Sequence, residues 1–135
     1  MKRLENKVAV VTGASTGIGQ ASANVLAQEG AHVLALDISD QLDQTVEDIK
    51  QQGGQATAFQ VDISDEQQVQ AFANQIKSEF GHVDVLFNNA GVDNGAGRIH
   101  EYPVEVFDNQ AFFLSNLFTC FNYFLVAFVN TVKEA

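Results

Sequence analysis

Three glycines and three hydroxyl-bearing residues crowd the stretch VVTGASTGIG, residues 10–19, directly behind an apolar run. Where a strand turns into a helix, the first helical N–H groups lack intrahelical partners and the helix dipole adds partial positive charge. Such a turn binds anions, phosphate above all. Gly13 suits the tight turn, Gly17 lets a pyrophosphate come close to the backbone, and Gly19 permits close packing of helix on strand. Asp37 lies 24 residues beyond Gly13, at the end of the next apolar run. A carboxylate there can accept hydrogen bonds from a ribose diol. Alone, the glycines also suit an ordinary βα turn, and Asp37 a solvated cap of the following helix. Together they predict a dinucleotide site.

Asp37 also predicts which dinucleotide. A 2′-phosphate beside its carboxylate meets a repulsion of roughly 1–4 kcal/mol per charge at about 4 Å, depending on screening. No Arg or Lys lies in the glycine loop to offset this, and Thr16 holds the variable place before Gly17. NAD(H) is therefore expected over NADP(H).

The elements that must position these residues follow from the patterning. Residues 7–12 (KVAVVT) form a short β-branched apolar run, as expected of a strand buried on both faces. A helix is predicted over 18–29 with Gly30 as its stop, a second strand over 32–37 (HVLALD), and a second helix over 41–52 ended by Gly53 and Gly54. Residues 56–62 (ATAFQVD) read as a third strand. Ser64 opens a capping box with Gln67, leading a helix that carries Val69, Phe72, Ala73 and Ile76 at helical spacing and ends near Gly81. Residues 83–91 (VDVLFNNAG) read as a fourth strand running into a polar turn of small residues. Strands alternating with helices argue for right-handed βαβ units, hence an α/β fold with a doubly wound parallel sheet in one domain spanning 1–135.

Composition excludes several classes. The 135 residues are 46% hydrophobic with one proline, which suits a globular core rather than disorder. A formal charge of −10 repels phosphate backbones and anionic lipid, so neither nucleic acid nor a membrane surface is an expected partner. The single cysteine, Cys120, suits a reducing cytoplasm, and the N-terminal stretch MKRLENK shows no signal-peptide pattern. His32, His82 and His100 form no metal-ligand or Ser/His/Asp pattern, and Cys120 reads as a core residue.

The last part of the chain has a different character. Phenylalanine occurs 4 times in residues 1–106 and 7 times in 107–128, and residues 109–132 contain no charge. Asn116, Asn122 and Asn130 interrupt that run, and buried amides without partners cost roughly 1–3 kcal/mol each. Residues 108–132 therefore read as an apolar helix packed on the sheet or on a second subunit rather than as a membrane span.

The spacing Thr12-Gly13-x-x-x-Gly17-x-Gly19, with Asp62 after the third strand and Asn88-Asn89-Ala90-Gly91 after the fourth, resembles the short-chain dehydrogenase/reductase family, classical type, over about residues 4–121. The resemblance implies a Rossmann fold and a nicotinamide cofactor. Gly13, Ser15, Thr16, Gly17, Ile18 and Gly19 would hold the pyrophosphate and adenosine side. Asp37, with Ile38 beside it, would select NAD, and Asp62 and Ile63 would contact the adenine. Asn88, Asn89, Ala90 and Gly91 would steady the sheet and approach the nicotinamide ribose. SNLFTCF, residues 115–121, resembles the helix bearing the family's active-site Asn, which would be Asn116.

The family's chemistry also uses a Ser and a Tyr-x-x-x-Lys turn, because a phenol with a pKa near 10 needs an adjacent cation to work at neutral pH. Tyr102 is followed four residues on by Val106, and Tyr123 by Ala127, so that spacing is missing; the Ser would follow beyond Ala135. The expectation is an oxidoreductase of this family, interconverting an alcohol and a ketone, with these residues as its cofactor-binding half and with little turnover alone. The alternative is a non-catalytic dinucleotide-binding or subunit-interaction fragment. The bare fourth strand and the Phe-rich helix lead us to expect self-association.

Overall fold

The computed structural model describes residues 2–63 and 65–90. Four strands form one parallel sheet: β1 (Val8–Thr12), β2 (His32–Asp37), β3 (Gln55–Gln60) and β4 (Val85–Phe87), in the order β3-β2-β1-β4. The helices α1 (Gly17–Gln28), α2 (Leu42–Gln51) and α3 (Glu66–Glu79) are the crossovers. This is the α/β doubly wound arrangement expected from the alternation of elements.

Every residue of β1 is buried, as the VAVVT run requires of a strand covered on both faces. Alternate side chains feed two separate cores. Val8, Val10, Leu34 and Leu36 pack with Val69, Phe72 and Ile76 of α3 on one face. Val11, Val33 and Ala35 pack with Ala23 and Ala27 of α1 and with Leu42, Val46 and Ile49 of α2 on the other. Large side chains buried as fully as Leu34, Leu36 and Ile49 each contribute about 1.5–3 kcal/mol. The buried stripe of α1 is Gly19, Ala23 and Ala27, small residues that let this helix lie close to the sheet.

β2 has the expected bounds, and the other elements differ by one or two residues for local reasons. β4 begins at Val85 rather than Val83 because the Asp84 side chain takes a place in the ladder. Val8 N–H donates to Asp84 Oδ2 at 2.8 Å, while Asp84 N–H donates to the Val8 carbonyl at 2.9 Å. β3 stops at Gln60, paired with Asp37. The start of α3 corrects the expected capping box. The cap is Asp65, one residue after Ser64, and its carboxylate accepts from Gln67 N–H and Gln68 N–H. The reciprocal side chain is Gln68, not Gln67: its Nε2 donates to Asp65 Oδ2 at 3.0 Å and its Oε1 accepts Asp62 N–H at 2.9 Å. A carboxylate accepts two N–H bonds more strongly than a hydroxyl. These bonds hold the Asp65 carboxyl below its usual range.

Candidate dinucleotide site

β1 lies between β2 and β4, so the chain leaves it toward one neighbour and later returns to its other side. The carboxyl ends of two such strands diverge and leave a crevice, the usual ligand position in open parallel sheets. Gly13 follows β1 directly into that crevice with φ +67°, a left-handed conformation that glycine adopts without strain. Ala14 N–H then donates to the Leu36 carbonyl at 3.1 Å, and Ser15 N–H to Asp37 Oδ2 at 3.0 Å. The glycine loop is thereby laid along the end of β2.

Thr16 caps α1 in an extended conformation without using its hydroxyl on the helix, and no acidic residue occupies the first turn. The positive end of α1 is therefore neither capped by the Thr16 side chain nor neutralised by an acid of its own first turn. Gly17 has φ +58°, and a methyl group placed on it would meet no described residue within 4 Å. Gly19 is the opposite case: a methyl group there would collide with the Gly13 carbonyl oxygen and come within 2.6 Å of Asn89 Nδ2. Gly17 leaves open space, while Gly19 permits contact.

The far wall comes from the turn after β4. Thr12, fully buried, accepts Asn89 N–H at 3.1 Å and Ala90 N–H at 3.0 Å on its side-chain oxygen. Asn89 Nδ2 donates back to the carbonyls of Thr12 at 3.3 Å and Gly13 at 3.4 Å. A methyl group on Gly13 would sit 2.9 Å from Ala90 Cα. Asn89 thus acts as a strut between the two strand ends.

These residues fit a dinucleotide. Ser15 is only 3% exposed, yet its hydroxyl has no partner among the described residues, and Asn88 Oδ1 is buried in the same state. Such atoms are costly unless a ligand or water completes them. Ile18 and Ile38 are 71% and 66% exposed at the ends of the glycine loop and β2, apolar surface of the kind a flat heterocycle covers. Asp37 already accepts Ile38 N–H at 2.7 Å and Ser39 N–H at 3.3 Å on Oδ1. It therefore also braces the turn that follows β2.

The remaining expected residues are placed less directly. Asp62 follows β3, half-buried, with its N–H tied to Gln68. The Ile63 side chain is buried in the core with Val69 and Phe72, so only its backbone is available to a ligand. Gly91, Asn116 and the helix expected over residues 108–132, with His100, Tyr102, Cys120 and Tyr123, lie outside the described residues. His32 is at the amino end of β2, away from the crevice, sharing a 2.9 Å hydrogen bond with Thr57 Oγ1 and packing edge-on against Phe80; burial lowers its pKa. His82 pairs with Asp84 at 3.1 Å. The sequence reading quotes Thr12 as a motif position but misses the work of its hydroxyl, and it misses Thr45 altogether, a polar residue in the buried stripe Leu42, Thr45, Val46, Ile49. That misfit in an apolar stripe is the signal that could have found it. Among the described residues no three His, Cys, Asp or Glu side chains form a metal site, and no helix is long and apolar enough to cross a membrane.

Residues 7–133 match the short chain dehydrogenase family, and the chain belongs to it. It is 55% identical over 127 residues, 93% of this chain and 46% of the other, to the "uncharacterized oxidoreductase YxbG" of Bacillus subtilis (strain 168). A metagenomic short-chain oxidoreductase solved in complex with NADP superposes with a TM-score of 0.84 at 33% identity, over 92% of this chain and 57% of that one. An NAD+-bound xylitol dehydrogenase superposes with a TM-score of 0.86 at 29% identity, over 91% and 48%. The chain thus spans about half the length of these proteins.

Proposed function

We propose that these residues form the cofactor-binding part of an NAD(H)-dependent oxidoreductase that interconverts an alcohol and a ketone. The observation that carries this reading is the meeting of three segments at one crevice: the Gly13–Gly19 loop, the Asp37 carboxylate and the Asn89 strut. The N–H groups at the start of α1 and the Ser15 hydroxyl would take the pyrophosphate. Asp37 would take the adenosine ribose, Ile18, Ile38, Asp62 and the Ile63 backbone the adenine side, and Asn88, Asn89, Ala90 and Gly91 the nicotinamide ribose side. When bound, the cofactor supplies hydride exchange at its nicotinamide ring; these residues bind and orient it.

NAD(H) is favoured over NADP(H) because Asp37 offers a 2′-phosphate only negative charge. Among the relatives, one structure holds NADP and another NAD+, so fold alone does not choose, and the choice is assigned here to the charge of Asp37 at the end of β2. Asn116 is proposed as the one catalytic residue among these 135, and the Tyr-x-x-x-Lys spacing is absent from them. The rival reading, a non-catalytic binding or interaction fragment, is less favoured because the relatives are named as oxidoreductases and dehydrogenases. The remaining expectations stand as part of the proposal: one domain over 1–135, a cytoplasmic setting, a small-molecule substrate, and self-association through the Phe-rich residues 107–128.

The test is a fluorescence titration of the purified chain with NADH, with NADPH alongside. Saturable binding with NADH the tighter is expected. Uptake of neither overturns the reading, and tighter NADPH binding overturns the role given to Asp37.

A further inference from the structure

We propose that Thr45 is a positioning residue for the dinucleotide loop, acting through the carbonyl of Ala14; the proposal rests on the dinucleotide reading above. Thr45 lies on the inner face of α2, 31 residues from Ala14, and is fully buried. Its Oγ1–H donates to the Ala14 carbonyl at 3.0 Å. Its neighbours on that face, Leu42, Val46 and Ile49, are apolar, so the packing there would accept a valine of the same shape. The hydroxyl therefore serves the loop rather than the core.

What it holds is one particular peptide group. The Ala14 carbonyl and the Ser15 N–H belong to the same planar unit, and their bonds point to opposite sides of it. Thr45 fixes the carbonyl side, and Asp37 Oδ2 receives the N–H side at 3.0 Å. The preceding N–H, that of Ala14, is held by the Leu36 carbonyl. Rotation of the Ala14–Ser15 plane would break the Thr45 and Asp37 bonds together. It would also swing the Ser15 hydroxyl and release Oδ2 of the Asp37 carboxylate, leaving that group held through Oδ1 alone. Thr45 thus governs both how tightly the loop binds and how well Asp37 discriminates, without itself approaching a ligand.

Three variants separate this from a merely structural role. Thr45→Val removes the donor and keeps the shape, Thr45→Ser keeps the donor, and Thr45→Cys has the shape of the serine variant with a weak donor. NADH and NADPH affinities are measured for each by fluorescence titration. Thr45→Val is expected to weaken NADH binding about fivefold or more, the scale of one buried hydrogen bond and its orphaned carbonyl. It should weaken NADPH less, so that the preference narrows, and Thr45→Ser should restore both values. Wild-type affinity in Thr45→Val, or a serine variant as weak as the valine one, overturns the proposal. If Thr45→Val does not fold, the serine and cysteine pair decides: equal affinities overturn it. If the wild-type chain takes up neither cofactor, the dinucleotide reading fails instead. The role of Thr45 then rests on hydrogen exchange at Ser15 N–H, which must quicken in the valine and not in the serine variant.

Discussion

Asp37 and Ser15 are joined across 22 residues by a single bond, from the Ser15 N–H to Asp37 Oδ2. The other oxygen, Oδ1, accepts Ile38 N–H and Ser39 N–H. A carboxylate offers about four acceptor positions, so the capacity left for a ribose hydroxyl lies chiefly on Oδ2, beside the glycine loop. The group proposed to select the cofactor is thus also a group that shapes the loop.

The two roles of Asp37 separate by substitution. Asp37→Asn removes the charge and keeps one of the two acceptor oxygens, so both affinities should drop somewhat, while the ratio of NADPH to NADH dissociation constants should fall by about tenfold or more, the low end of the expected charge repulsion. Asp37→Ala removes the acceptor as well and should weaken both cofactors. Parallel titrations of the two variants check this. An unchanged ratio in Asp37→Asn would show that charge is not what discriminates.

Gly17 and Gly19 should respond in opposite ways to the same added methyl group. Gly17→Ala places it at positive φ where no described residue lies within 4 Å, which costs about 1–2 kcal/mol of stability and would obstruct the proposed anion position. Gly19→Ala drives it into the Gly13 carbonyl and the Asn89 amide, so the crossing of α1 over the loop must shift. Overpacking of this kind typically costs about 1–3 kcal/mol and occasionally more. Urea midpoints should show Gly19→Ala as the less stable of the two, with the binding of Gly17→Ala impaired beyond its stability loss. A fully stable Gly19→Ala would contradict the close crossing.

His32 should make stability depend on pH well away from the site. Burial between Thr57 and Phe80 lowers its pKa from 6.5. The unfolded chain then binds a proton that the folded chain resists. The stabilising contribution is fully present above pH 6.5 and is lost as pH falls through the folded value. Denaturation midpoints should therefore decline from pH 7 downward, and His32→Gln should flatten that decline. Carboxylates held low, such as Asp65 and Glu29, act only in a more acidic window. A decline of equal steepness in His32→Gln would assign it elsewhere.

Most of the fold was legible because its signals are local. The run HVLALD gives the bounds of β2, and Gly30 and Gly53, both at positive φ, end α1 and α2 where the sequence places those stops. The helix cap at Asp65 was misread by one residue because Ser64-x-x-Gln67 and Asp65-x-x-Gln68 are both capping patterns. The choice between them depends on Gln68 reaching Asp62 N–H, a contact formed only once the turn exists. The glycine loop and Asp37 were legible for the same local reason. The struts were not: Asn89 to Gly13, Thr12 to Ala90 and Thr45 to Ala14 join residues 31 to 78 apart. No periodicity announces such a pair.

Those separations bear on how the protein folds. Every strand pairing among the described residues is parallel, so no hairpin among these four strands can bring neighbours together early. The crevice exists only after residues 12–19, 36–45 and 87–90 have met. Topologies built from such distant pairings fold slowly, because loop closure is unfavourable until the contacts form. A dinucleotide that binds there recognises the finished sheet and none of its precursors. At a free concentration a hundred times its dissociation constant, it would add about 2.7 kcal/mol to the stability of the folded form. The ligand would then act as the final fastener of the architecture that binds it.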